Sequence, residues 1–204
     1  MQHYDKLVGK IEKDLEGHQN LILLIGLAGC GKTSLAMALI TRANPQKTTR
    51  VSLDCIITMA SGYNYDSELR DFYRALEIAA VKKSLSGGYN LVIDDTNITK
   101  EIRKLFIDTG KEYQDIQIVG IYFNIPIESC IQRRLNDPLI TLREQHCQKA
   151  NWADIIKNQS NIMEEPGLEE RFDIIYELDE NSSIVKVKKS ALQTPNPLFI
   201  PQIY

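Results

Sequence analysis

No segment of this chain reaches the roughly 18 consecutive apolar residues of a membrane span, and its one long apolar run, Leu21 to Ile40, makes a poor export signal. The residues before that run mix Asp5, Glu12, Asp14 and Glu16 with Lys6, Lys10 and Lys13, whereas a secretory leader opens on a short, net positive stretch. The expectation is a soluble, intracellular, cytoplasmic protein with no membrane partner. Cysteine is scarce as well. Cys30, Cys55, Cys130 and Cys147 show no C-x-x-C or metal-type spacing, which argues against a disulfide framework and for free thiols in a reduced compartment. His3, His18 and His146 lack partners at ligand spacing and read as structural or surface residues. Positive charge is not in excess either. With 24 basic and 27 acidic residues the net charge is −3, so no global field draws the chain onto long nucleic acid, and any such contact is local, in a groove or at an end. There is no internal repeat, no low-complexity tract and no Asn-Lys-x-Asp tetrad, the main guanine-reading motif of regulatory GTPases.

What is present is concentrated in LILLIGLAGCGKTSLAMALI, where a β-like run breaks into Gly-x4-Gly-Lys-Thr and then into a helical pattern. Gly26, Gly29 and Gly31 carry no Cβ, so the backbone can wrap an anion with its N–H groups at a helix start. Lys32 supplies a charge for the β- and γ-phosphates and the Thr33 hydroxyl a ligand for Mg²⁺. Cys30 and Ser34 complete the loop that would hold ATP.

Around it the periodicity predicts one α/β domain, residues 20–190, preceded by an amphipathic helix in residues 1–19 that stops at Gly17 and followed by an irregular tail, residues 191–204. Strands are expected at Arg50 to Asp54, Leu91 to Ile93, Ile116 to Phe123, 172–178 and 183–188. A helix from about Asp66 should present Leu69, Phe72, Tyr73, Leu76 and Ala80 on one face and end at Gly87 and Gly88. Another, N-capped by Thr99, should bury Ile102, Leu105, Phe106 and Tyr113. Pro126 suits the first turn of the helix carrying Cys130 to Leu135, and residues 141–163 look helical. Alternating strands and helices imply an open, mostly parallel sheet with helices on both faces. Ligands bind such sheets at the carboxyl ends of the strands, so residues 26–33, Asp54 and residues 94–97 should converge there.

Phosphoryl transfer needs a phosphate cradle, a metal, a group that deprotonates the acceptor, and cations over the transferred phosphoryl. Asp94, after an apolar strand, suits a Mg²⁺ carboxylate acting through water or through Thr33, although a cap of the next turn would look the same. Asp54 suits a general base, or an ordinary strand-end carboxylate. Arg133 and Arg134 lie where nucleotide kinases place a mobile cationic lid, here residues 126–163, with Arg143 and Lys149 as weaker candidates. Trp152 reads as a core or edge residue.

On GLAGCGKT, VSLD and LVIDDTNITKEIRK, across roughly residues 20–136, the chain resembles the P-loop polynucleotide kinase family, which phosphorylates 5′-hydroxyl ends of DNA or RNA. The resemblance implies a P-loop kinase fold with a helical lid. It makes Asp54 the general base, Lys32 and Thr33 the donor and Mg²⁺ contacts, Asp95, Thr96 and Asn97 part of the acceptor pocket, and Arg133, in CIQRRLND, the lid arginine. It implies a nucleic-acid acceptor, a 5′-OH end or a hydroxymethylated base. The sequence departs from the family where Cys55, Ile56 and Ile57 replace a basic residue after the base, where Arg134 replaces an asparagine, and in its negative net charge, and no accompanying phosphatase or ligase domain is expected. Three readings therefore stand: a nucleic-acid hydroxyl kinase, a kinase of a small hydroxylated metabolite, nucleoside or nucleotide sugar as in zeta-toxin-like relatives, and a nucleotide-binding protein without chemistry. Asp54 together with Asp95, Thr96 and Asn97 argues against the last.

Overall fold

The computed structural model describes residues 4–42, 47–62, 65–137 and 151–191. The strands follow the apolar runs: β1 (Gln19–Ile25), β2 (Thr48–Val51), β3 (Asn90–Ile93), β4 (Ile116–Phe123), β5 (Ile174–Leu178) and β6 (Ile184–Lys189). They form one sheet in the order β2-β3-β1-β4-β5-β6. The first five are parallel and β6 closes the edge antiparallel to β5. In β1 every residue after Gln19 is buried, as a strand covered on both faces requires.

The helices are α1 (Asp5–Asp14), α2 (Lys32–Arg42), α3 (Leu53–Ser61), α4 (Arg70–Ser86), α5 (Lys100–Lys111), α6 (Ile127–Leu135) and α7 (Trp152–Asn161). One face of the sheet, through Ile22, Leu24, Val119 and Ile121, meets Val8 and Ile11 of α1, Leu35 and Leu39 of α2, Cys130 of α6 and Ile156 of α7. The other, through Leu21, Leu23, Ile25 and Ile93, meets Ile56 of α3, Tyr73 and Val81 of α4 and Phe106 of α5. Each fully buried Leu or Ile contributes about 1.5–3 kcal/mol relative to exposure. Because β1 lies between β3 and β4, the chain's connections run to opposite sides of it, and the crevice opens at its carboxyl end. Among the described residues no helix is long and apolar enough to cross a membrane.

Three expectations change. The second strand ends at Val51, and Asp54 lies in the first turn of α3, a helix the periodicity did not anticipate. Ser52 is extended (φ −146°, ψ 127°) and turns the chain directly into that helix. On α4 the buried face is Tyr73, Glu77, Val81 and Leu85, whereas Phe72 and, just before the helix, Leu69 are exposed. On α5 Leu105 is exposed and Arg103 is buried beside Phe106 and Ile107. The cap of α5 by Thr99, whose hydroxyl accepts from Ile102 N, and the bounds of β4 stand as expected. Residues 138–150, with Arg143, His146, Cys147 and Lys149, lie outside the described residues, as does the tail from residue 192.

Candidate active site

β1 delivers the chain into the loop Gly26 to Gly31, and α2 begins at Lys32. Gly29 has φ +82°, and a Cβ there would stand 2.3 Å from the Cys130 carbonyl oxygen of α6. Only glycine satisfies both conditions, so the loop's fold and its contact with α6 share one residue. The first-turn amides of α2 have no intrahelical acceptor and carry the positive end of the helix dipole, beside the exposed Thr33 and Ser34. This is a cradle suited to nucleotide phosphates. Lys32 is only 8% exposed. Its ammonium donates to the carbonyls of Gly26 (2.9 Å) and Leu27 (2.8 Å) and lies 3.6 Å from the buried Cys30 Sγ, so it also ties its own loop together. From α7, Gln159 Oε1 accepts the Ala28 N–H at 2.9 Å.

At the end of β3, Asp94 is buried. Its Oδ1 accepts from the Thr33 hydroxyl at 3.3 Å, while Oδ2 accepts from Arg50 Nε (2.8 Å) and Nη2 (2.6 Å). Arg50 Nη1 also reaches Cys55 Sγ at 3.3 Å. The Thr33 hydroxyl and Asp94 carboxylate form a hard-oxygen pair that fits Mg²⁺. Asp54 is exposed on α3. That helix receives no side-chain cap from Ser52, and Asp95 Oδ1 accepts the Leu53 N–H at 2.8 Å instead. Burial raises the Asp95 carboxyl above its usual range, and the nearby Asp54 charge adds to the rise.

Thr96 is sewn to the phosphate loop and Asn97 to the strand β1 that leads into it. Thr96 O accepts from Gly26 N (2.9 Å), and Asn97 Nδ2 donates to Leu24 O (2.8 Å). Asn97 is buried at φ +48°, a conformation asparagine tolerates better than most residues. Arg103 braces it. Its Nη1 donates to the carbonyls of Asn97 and Glu164, both at 3.0 Å, and its Nε and Nη2 fork onto Glu170 at 2.7 and 2.8 Å.

The two arginines of α6 diverge. Arg133 donates to Cys30 O (3.3 Å) in the phosphate loop and to Glu180 O (2.7 Å). Arg134 lies over the Trp152 ring at 3.7 Å and 3.6 Å from Asp137. Arg133→Ala is therefore expected to cost more in turnover than Arg134→Ala. The latter should chiefly lower the melting temperature, since a cation–π contact contributes about 0.5–2 kcal/mol. Equal, small turnover losses from both would remove Arg133 from the site.

The structure thus brings together the loop, Thr33, Asp94, Asp95 and, through the α3 cap, Asp54; Arg133 joins them at Cys30. Sequence reasoning missed Arg50, Arg103 and Gln159. For Arg50 a signal existed, since it is the one basic residue in a strand whose carboxyl end enters the crevice. A cavity of about 910 Å³ lined by Glu16, His18, Asn20, Lys47 and Asn90 lies at the amino ends of the strands, away from all of these groups.

Residues 21–136, more than half of the chain, match the family described as AAA domain. No curated protein matches the chain. Among solved structures it is similar to a chain of the Pnkp1/Rnl/Hen1 complex, with 26% identity and a TM-score of 0.50 over 57% of this chain and 39% of that one. It is also similar to a chain of the Pnkp1/Rnl/Hen1 RNA repair complex, at 21% identity and a TM-score of 0.57 over 91% of this chain and 53% of that one. A third likeness, at 18% identity and a TM-score of 0.57 over 91% and 80%, is to the PezAT chromosomal toxin–antitoxin system of Streptococcus pneumoniae. The chain therefore spans between about two fifths and about half the length of the first two neighbours. The shared architecture is that of the P-loop kinases, a nucleotide-binding fold.

Proposed function

Because the chain belongs to the AAA domain family, we propose that it is a kinase that uses ATP and Mg²⁺ to phosphorylate a hydroxyl of a nucleic acid, a 5′-OH end or a hydroxymethylated base. The observation that carries this reading is the pairing of Thr33 with Asp94 at 3.3 Å beside an anion cradle, with a helix bearing an exposed carboxylate capped from the next residue, Asp95. Gly26, Gly29, Cys30, Gly31, Lys32, Thr33 and Ser34 hold the donor. Thr33 and Asp94 hold Mg²⁺, which when bound offsets charge on the phosphate oxygens.

Asp54 takes the proton of the acceptor hydroxyl as that oxygen bonds to the γ-phosphorus and the bond to ADP breaks. Lys32 and Arg133 neutralise charge on the transferred group. Asp95, Thr96, Asn97 and Arg134 shape the acceptor side, with Asp95 and Asn97 acting from within the fold and residues 126–163 serving as the lid. The likeness to chains of the Pnkp1/Rnl/Hen1 complex, one of them described as an RNA repair complex, supports a nucleic-acid acceptor. The net charge of −3 favours a second reading, a small hydroxylated metabolite, nucleoside or nucleotide sugar.

Incubation with γ-labelled ATP and a panel of 5′-OH DNA, 5′-OH RNA, hydroxymethyl-base DNA, nucleosides and nucleotide sugars separates the two. Label is expected on oligonucleotides, and transfer should weaken only shallowly as salt rises. Each neutralised phosphate contributes about 0.7–0.9 to the logarithmic salt slope, and a chain without positive excess engages few. Label confined to nucleosides or sugars would sink the nucleic-acid reading and promote the other.

A further inference from the structure

We propose that Gln159, on α7, is a positioning residue for Lys32 that acts through one peptide plane of the phosphate loop: its carboxamide holds one edge of the Leu27–Ala28 peptide while the lysine ammonium holds the other. The part that Lys32 plays in phosphoryl transfer rests on the kinase reading above, whereas the clamp on the peptide does not.

A loop built on Gly26, Gly29 and Gly31 has little intrinsic preference for one backbone conformation, so the bonds made by its peptide groups decide the matter. The Leu27–Ala28 peptide carries three of them. Its carbonyl accepts from the Lys32 ammonium at 2.8 Å and from the Cys30 N–H at 3.3 Å, and its N–H donates to Gln159 Oε1 at 2.9 Å. The peptide is trans, so its C=O and N–H point to opposite sides of one plane. Lys32 therefore pulls from one edge and Gln159 from the other, and neither bond can turn without carrying the other with it. The sense of the carboxamide is also fixed. A backbone N–H only donates, so the oxygen end of Gln159 must face the loop.

Gln159 can hold the loop because its own helix is held. Asn151 Oδ1 caps the start of α7, accepting from Ala153 N at 3.1 Å and from Asp154 N at 3.4 Å. Ile156, three residues before Gln159 and so on the same face, is fully buried in the core with Cys130 of α6. Just beyond the helix, Glu164 N donates to Ile98 O at 2.8 Å. The glutamine thus reaches the loop across 131 positions of sequence from an anchored frame. An aliphatic side chain of the same length offers no acceptor to Ala28. The peptide is then free to turn, and the Leu27 carbonyl that anchors the Lys32 ammonium turns with it.

The test compares Q159M, which keeps length and loses the acceptor, with Q159E, which keeps an oxygen for the Ala28 N–H. Hydrogen exchange at the Ala28 amide should be slow in the wild type and in Q159E and fast in Q159M. Thermal unfolding reads the shared peptide. Q159M and Lys32→Ala should each lower the melting temperature, and the double variant should lower it by clearly less than the sum, because a peptide freed at one edge has less to lose at the other, whereas independent sites add. With ATP and Mg²⁺ supplied, Q159M should lose about tenfold in kcat/KM for ATP, the equivalent of one hydrogen bond, and keep its KM for the acceptor. A role confined to seating α7 would lower the melting temperature and leave that ratio unchanged.

Unaltered Ala28 exchange in Q159M, or additive melting shifts, would overturn the clamp. An unchanged kcat/KM for ATP in Q159M would overturn the positioning role. Absence of transfer by the wild type to every acceptor, with the exchange and melting results as expected, would overturn the kinase reading and leave the clamp standing.

Discussion

Lys32→Ala is expected to lower phosphoryl transfer by about 10³-fold, the scale on which removing one preorganised charge or donor aimed at a transition state reduces turnover. The lysine stands at the start of α2, where the loop turns inward, and its charge meets phosphate oxygens that gain negative charge as the bond to the leaving group breaks. The sequence alone suggests a side chain that bears on nothing else. The fold corrects this, because the ammonium is buried and donates to the carbonyls of Gly26 and Leu27. The alanine variant should therefore also lose some stability, about 1–3 kcal/mol for carbonyls left without a charged donor. With ATP and Mg²⁺ supplied, single-turnover transfer and a melting curve separate the two effects. A folded variant with unchanged turnover would falsify the donor-site assignment.

That correction shows where the sequence is readable and where it is not. The phosphate loop is legible because its parts are contiguous: a strand, three glycines, a lysine, a hydroxyl and a helix within one short stretch. The Thr99 cap and the β4 strand are legible for the same reason, since local chemistry fixes each of them. The α3 boundary is not local. Within Leu53 to Ser61, Cys55, Ile56 and Ile57 form an apolar stretch that suits a strand as well as a helix, and the group that caps the helix is Asp95, 42 positions from Leu53. Arg50 finds Asp94 across 44 positions and Arg103 finds Glu170 across 67. A charged residue can occupy a buried helix face only when such a partner exists. Periodicity, which reads apolar residues alone, therefore turned the buried faces of α4 and α5 slightly and passed over Glu77 and Arg103.

Asp54→Asn is expected to lower turnover by about 10²-fold or more while leaving ATP affinity nearly intact, the usual contribution of a positioned general base. The move of Asp54 from a strand end to the first turn of α3 sharpens this expectation. Its side chain is exposed, so an asparagine there changes stability by about 0.5 kcal/mol at most, and a loss of turnover reports on chemistry. Asp94→Asn should behave differently on every count. It weakens the oxygen pair with Thr33 and should raise the Mg²⁺ concentration needed for half-maximal rate. It also leaves Arg50 facing a neutral amide in place of its carboxylate, at a cost of about 1–3 kcal/mol, because that ion pair is largely buried. Measuring kcat, the KM for ATP and the Mg²⁺ dependence of both variants on one acceptor assigns the roles. If the Asp54 variant loses ATP binding and keeps its turnover while the Asp94 variant does the reverse, the two aspartates exchange functions, and the base must be sought at the end of β3.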